Sequence, residues 1–432
     1  MPMSFIKYML TFLLVFACGS TKPVQENDHT ALNSKNLKSE SRNTPTDEEG
    51  LRKMADSLAH AYIIVDGHVD LPYRLSIKNF RPTKEFTGIP VSSKEGDFDY
   101  VRAKRGGLSS PFMSIYIPAS YQKGGAKEYA DYLIDMVNSI VNDHPDKFAL
   151  GLSVDQVNQN FKNGLISLPM GMENGAPIGN DLANVKYFHD RGIRYITLTH
   201  SEDNQLCDAA YAKTRQWHGL SPFGKQVVLE MNKVGIMVDI SHVTDSTFWQ
   251  VLQVSKAPII ASHSSCRHFT PGFERNMNDE MIEALGKHHG VIMINFGSDF
   301  LDGNIQKQDN ANRDELESLL KNNGLTAGDS LAKPIIKEFE KAHPTLHSDV
   351  RKVVDHIEHV ITLAGIDHVG LGSDFDGVGD SLPVGLKDVS AYPNIVYELL
   401  KRGHTESEIA KILSGNLLRV WKSVETVSLH WK

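Results

Sequence analysis

One stretch constrains the fold more than any other: residues 235–265. It opens with a β-branched, apolar run, 236–241, that stops at His242, and closes with a second, 259–262, that stops at His263. Between them Thr244 is placed to cap a helix whose Phe248, Val251, Leu252 and Val254 recur at helical spacing. The unit reads as strand–helix–strand with an imidazole at the carboxyl end of each strand. In parallel α/β folds, chemistry collects at that end of the strands.

The pattern repeats along the chain. Further strand-like runs lie at 61–65, 112–117, 165–172, 193–199, 291–296 and 368–373, which with the first two makes eight. Most are followed by an amphipathic helical segment with clear punctuation. Asn180 and Asp181 open one with Leu182, Val185 and Phe188 on a face, stopped by Gly192. Ser221-Pro222 opens another, stopped by Gly235; Asn278 opens a third, and 353–364 closes at Gly365. Thr405 and Glu408 match a capping box. Eight strands alternating with helices predict an α/β fold of the (β/α)8 TIM-barrel type. A doubly wound open sheet competes, but no GxGxxG or P-loop opens any helix. Two segments interrupt the alternation. Residues 78–107 read as a polar loop, and 301–349 as an insertion with helices over or beside the barrel mouth.

The amino terminus reads as a separate region. Lys7 precedes an apolar run too short to span a bilayer comfortably, so 1–17 is expected to be a signal peptide. The run ends Val15-Phe16-Ala17-Cys18-Gly19, which resembles a bacterial lipoprotein box with Cys18 as the lipid anchor; ordinary cleavage and soluble export is the alternative. Residues 18–54 read as a disordered tether, because they are polar with few large apolar side chains. The domain proper is expected over 55–425, in the cell envelope, as a periplasmic protein or an outer-membrane lipoprotein. Cys207 and Cys266 could pair in an exported protein.

The net charge of −8, with no long basic run, argues against a nucleic-acid partner. Nineteen histidines against three cysteines point to nitrogen and oxygen ligands for any metal. The polar strand ends supply such a set. His68 and Asp70 share a strand face, and Glu173, His200, His242, His263 and Asp374 finish other strands. These exceed what one tetrahedral zinc needs. Two ions bridged by a carboxylate use them better, with Glu173 as the bridge, His68 and Asp70 on one side, and His242 and His263 on the other. His288 and His289 precede a strand, at the wrong end, and His356 and His359 read as a solvated or packing pair on a helix.

The segments HVD, MENG, TLTH, VDISH, ASHSS with Arg275-Asn276 downstream, and LGSDFDG resemble, in order and spacing over residues 55–425, the membrane (renal-type) dipeptidases. The resemblance is to an exported, bacterial member. It implies a hydrolase with two Zn²⁺ per subunit, a homodimer, and short peptides with a free amino terminus as substrates, including those with a D-residue at the carboxyl end. It implies His68, Asp70, Glu173, His242 and His263 as metal ligands, and His200 at the scissile carbonyl. Arg275 would hold the substrate carboxylate, and Asp374 would transfer the proton. Asn174 departs from it, standing where a glycine is common after the bridging glutamate, with an altered pocket wall as the expected consequence.

The chemistry agrees. A metal lowers the pKa of bound water from about 15.7 to about 7, whereas positioned acid–base groups contribute about 10²–10⁴-fold. The expectation is attack by a metal-bridging hydroxide, with His200 at the oxyanion, Asp374 as proton carrier and Asp376 as its substitute candidate. No GxSxG elbow supports a nucleophilic serine. A barrel amidohydrolase acting on N-acyl amino acids or cyclic amides is the alternative, but its first-strand signature is His-x-His, whereas this chain has His68-Val69-Asp70. A non-enzymatic binder on the same scaffold would have no need of Asp374 and His200.

Overall fold

The computed structural model describes Pro45, residues 47–78 and residues 91–431. The expected signal peptide, Cys18 and nearly all of the expected tether therefore lie outside the described residues. The tether's expected end at 54 is corrected: a helix, Glu48–Ala61, starts earlier, capped by Asp47, and buries Ala55, Leu58 and Ala59. Its first turns are rich in charge, which hides the apolar spacing that Leu51, Met54, Ala55 and Leu58 share with an amphipathic helix.

Among the described residues, ten strands form in chain order. They are β1 (Ile64–Val69), β2 (Leu108–Tyr116), β3 (Phe148–Leu150), β4 (Ile166–Leu168), β5 (Met170–Glu173), β6 (Ile193–Thr197), β7 (Met237–Asp239), β8 (Ile260–Ser264), β9 (Val291–Ile294) and β10 (Val369–Leu371). Eight of them close into a parallel barrel in the order β1-β10-β9-β8-β7-β6-β5-β2. The eight expected strands are these eight, with three corrections. β1 spans Ile64–Val69 rather than 61–65, because Ala61 still belongs to the preceding helix. The run 165–172 is two strands, because Pro169 breaks it: β5 joins the barrel and β4 pairs with the short β3. β2 starts at Leu108 and runs through Pro111, whose missing N–H falls where the pairing with β1 shifts register.

Inside the barrel, Val65, Phe112, Tyr195, Met237, Ile260, Val291 and Met293 pack with Trp421 of the C-terminal helix Asn416–Leu429. The rings of Phe112 and Trp421 are 5.4 Å apart, and burying Phe112 alone contributes about 2–3 kcal/mol. Tyr195 fits only because its neighbour on β5 is Gly171, where a Cβ would lie 1.9 Å from the phenol ring. The other apolar side chains fill the layer between strands and surrounding helices.

Four helices start where the capping residues predict: Ser221, Thr244, Asn278 and Thr405 each accept from a first-turn N–H, the last within a full capping box. The helix expected to open at Asn180 and Asp181 starts instead at Ala183, after Leu182, with no side-chain cap. The polar stretch 78–107 is not all loop. Tyr100–Gly106 is a helix capped by Asp99 and closed by Gly107 at φ +77°. The insertion holds Gly303–Asn322 and Lys333–Ala342, and its Asp309, Arg313, Phe339 and His343 line the barrel mouth. Cys207 and Cys266 are both buried and free, so the pairing left open by the sequence does not form. Cys266 Sγ instead contacts the carbonyl of His356. Among the described residues, no helix is long and apolar enough to cross a membrane.

Candidate active site

All seven predicted strand-end residues meet at one mouth. Glu173, at the end of β5, is the centre. Its Oε2 lies 3.3 Å from His68 Nε2, and its Oε1 lies 3.0 Å from His242 Nε2, 3.2 Å from His263 Nε2 and 3.7 Å from His200 Nε2. His68 Nε2 is also 3.4 Å from Asp70 Oδ2. Donor atoms of His68, Glu173 and His263, of Glu173, His200 and His242, and of His68, Asp70 and Asp374 lie within 4.8 Å of one another. The two oxygens of one carboxylate thus face two different sets of imidazoles.

The backbone is forced to deliver these groups. His242, Asp374 and Asp376 sit at φ +69°, +63° and +67°, a left-handed conformation that non-glycine residues adopt at a cost. Such strain clusters at functional sites. Asn174 joins them at φ +78°. This explains why glycine is common there, and asparagine is among the few side chains that tolerate it. Against the expectation of an altered pocket wall, its side chain does not line the cavity. It is buried, donates to Ile117 O and accepts from Ala176 N and Asn204 Nδ2, tying the β5 loop to its neighbours.

Residues that the sequence reading passed over set the histidine tautomers. Tyr195 Oη donates to Gly67 O, so its 2.8 Å contact with His68 Nδ1 requires that nitrogen to carry the proton. Ser262 Oγ donates to Asp239 Oδ2 at 2.6 Å, so His263 Nδ1 donates to Ser262 Oγ. In both rings Nε2 is left as a lone pair aimed at Glu173. His68 Nε2 and Asp70 Oδ1 are buried with no hydrogen-bond partner in the protein. Burial, with the nearby Arg275 charge, holds His242 and His263 well below the ordinary imidazole range. Neutral His242 and His263, a shared carboxylate and unpartnered buried donors are what a divalent-metal site requires.

Asp374 follows β10, and Asn295 Nδ2 donates to its Oδ2 at 2.8 Å. Burial pushes its carboxyl up to about 8, with the Asp70 and Glu173 carboxylates adding to the rise. Asp376 is also pushed up by burial, to about 7, but is tied to Arg74 and to the backbone of Asp97. Burial lowers His200, leaving it neutral. Arg275 is held by Ser264 Oγ and His263 O beside the ring of Phe300. The cavity measures about 810 Å³; Tyr73, Tyr116, Tyr211 and Phe300 supply aromatic walls, and no lysine lines it among the described residues.

The pairs read as bland keep that reading. His356 is a buried packing residue, accepting from Cys266 N–H through Nδ1, and His359 pairs with Asp279. His288 and His289 lie before β9, away from the mouth.

Comparison with known proteins places these features in context. Residues 52–432 match the family described as Membrane dipeptidase (Peptidase family M19). The chain is 32% identical over 379 residues to the dipeptidase tcpJ of Claviceps purpurea, covering 85% of this chain and 78% of that protein. It is also 32% identical over 394 residues to the uncharacterized dipeptidase C3A11.10c of Schizosaccharomyces pombe, covering 88% and 85%. The crystal structure of the probable dipeptidase PvdM from Pseudomonas aeruginosa superposes with a TM-score of 0.74 at 25% identity, covering 88% of this chain and 99% of that one.

Proposed function

The chain belongs to the membrane dipeptidase family of metallopeptidases, and from that premise we propose that it hydrolyses dipeptides with a free amino terminus at a site holding two zinc ions. The observation that carries this is the division of Glu173, one oxygen toward His68 and the other toward His242 and His263. His68 and Asp70 would hold one ion, His242 and His263 the other, and Glu173 both. When bound, the ions supply Lewis acidity and a water acidic enough to serve as nucleophile near neutral pH.

The chain's own groups do the rest. Arg275, fixed by two hydrogen bonds, offers its remaining donors to the substrate's carboxylate. His200, neutral, donates a hydrogen bond from Nε2 to the scissile carbonyl oxygen as charge develops there. Asp374 carries a proton to the leaving nitrogen, a task suited to a carboxyl raised by burial toward neutral pH. Such a group contributes about 3–5 kcal/mol, from a factor of about 10²–10⁴. Asp374→Asn therefore lowers turnover by about 10²–10⁴-fold while both zinc ions stay bound.

Export and lipidation at Cys18 belong to the same proposal and rest on the sequence of residues 1–19 alone. Mass spectrometry of the mature protein tests them, and an unmodified terminus beyond Cys18 would exclude the anchor. A homodimer rests on the family resemblance, and sedimentation tests it.

The reaction is tested with a dipeptide panel and the matching N-acetyl compounds, following amino-acid release by NMR with and without chelator. Release from free dipeptides only, lost with chelator, is expected. Release from the N-acetyl compounds alone would move the protein to the amidohydrolase reading.

A further inference from the structure

Seven of the eight strand ends were read for chemistry or for walls; β9 had no role. It ends at Ile294, and the next residue, Asn295, is fully buried behind the mouth. The orientation of its amide follows from its neighbours. Gly297 N–H can only donate, and it lies 2.7 Å from Asn295 Oδ1, so that atom is the oxygen. The amide nitrogen therefore faces Asp374, donating to Oδ2 at 2.8 Å. Among the described residues, Asp374 has no other side-chain hydrogen bond. Asn295 is itself immobile: its N–H donates to Ser264 O, and its carbonyl accepts from Ser265 Oγ.

With Oδ2 occupied, the other carboxylate oxygen of Asp374 is turned toward Asp70 across Gly377. An aspartate on a left-handed backbone turn can swing about its side-chain bonds unless something holds it. We propose that Asn295 is a positioning residue: it engages one oxygen of Asp374 so that the other faces substrate and exchanges the proton with it. This rests on the function proposed above, and specifically on Asp374 as proton carrier. It predicts that the donor matters and the volume does not.

The test uses Asn295→Asp in the full zinc-loaded protein. The change keeps size and keeps an oxygen for Gly297 N–H, but replaces the fixed N–H donor with a carboxyl oxygen that competes with Asp374 for the proton. The expected result is a fall in kcat on the order of 10²-fold, the scale of a misplaced catalytic group, with KM unchanged and two zinc ions per chain retained. In an Asp374→Asn background the same change should cost nothing further. Wild-type kcat in Asn295→Asp, an equal loss in both backgrounds, or loss of zinc would each overturn the positioning role. Failure of the underlying reading shows separately, as undiminished turnover in Asp374→Asn alone.

Discussion

Asp70 and Asp374 face each other across a glycine: a Cβ built on Gly377 would lie 2.3 Å from Asp70 Oδ2 and 2.2 Å from Asp374 Oδ1. The DFDG segment therefore ends in glycine for room at the site. Gly377 itself is absent from the residues with positive φ, so conformation is not the reason.

Gly377→Ala should push the two carboxylates apart without unfolding the barrel. A displacement of about 1 Å at a catalytic group costs on the order of 10²-fold in rate. Steady-state kinetics together with far-ultraviolet circular dichroism checks this. Wild-type kinetics would mean that neither carboxylate is tightly placed.

Asn174 should show an inverted substitution order. Asn174→Gly keeps the left-handed φ freely and loses only side-chain hydrogen bonds, each worth about 1 kcal/mol. Asn174→Ala loses the same bonds and adds about 1–2 kcal/mol of backbone strain. Urea melts should therefore rank alanine below glycine, the reverse of the usual helix or strand order.

Much of this was legible because ligand-bearing strands announce themselves: an apolar run that stops in histidine, glutamate or aspartate is unusual, and several of them at one kind of position are more so. What was missed sits inside the runs. Tyr195 and Asp239 alternate with apolar residues in β6 and β7, where a tyrosine reads as packing; a charged residue in an apolar strand was the available sign of a buried, partnered carboxylate. Asn295 lies inside the expected strand 291–296, where one polar residue gives no sign of its partner until the barrel closes. β3, three residues long, is too short to carry a period, and the Tyr100–Gly106 helix is too rich in Arg, Lys and Gly to stand out.

Tyr195→Phe should weaken metal binding while leaving the fold intact, because the ring still fills the space over Gly171 and only the contact that fixes the His68 tautomer is lost. Partners of this kind are worth about 10–100-fold in metal affinity. Competition with a chromophoric chelator measures it, and unchanged affinity would show that His68 is oriented by packing alone.

His356 should make stability depend on pH. Burial lowers its folded pKa to about 4, against about 6.5 in the unfolded chain. The unfolded state thus binds the extra proton between those values. Stability is complete above about 6.5 and declines as pH falls toward 4, by about 2 kcal/mol at pH 5 from a shift of 1.36 kcal/mol per unit. Urea melts at pH 7 and pH 5 should show wild type losing that much more than His356→Gln; equal losses would place the titration elsewhere.

The most direct measurement is stepwise zinc titration of the metal-free protein while following dipeptide hydrolysis. The site described predicts activity that rises with added zinc and levels off at two equivalents per chain, with a Glu173→Gln variant failing to reach it. Full activity at one equivalent, or activity indifferent to zinc, would contradict a shared site built on Glu173.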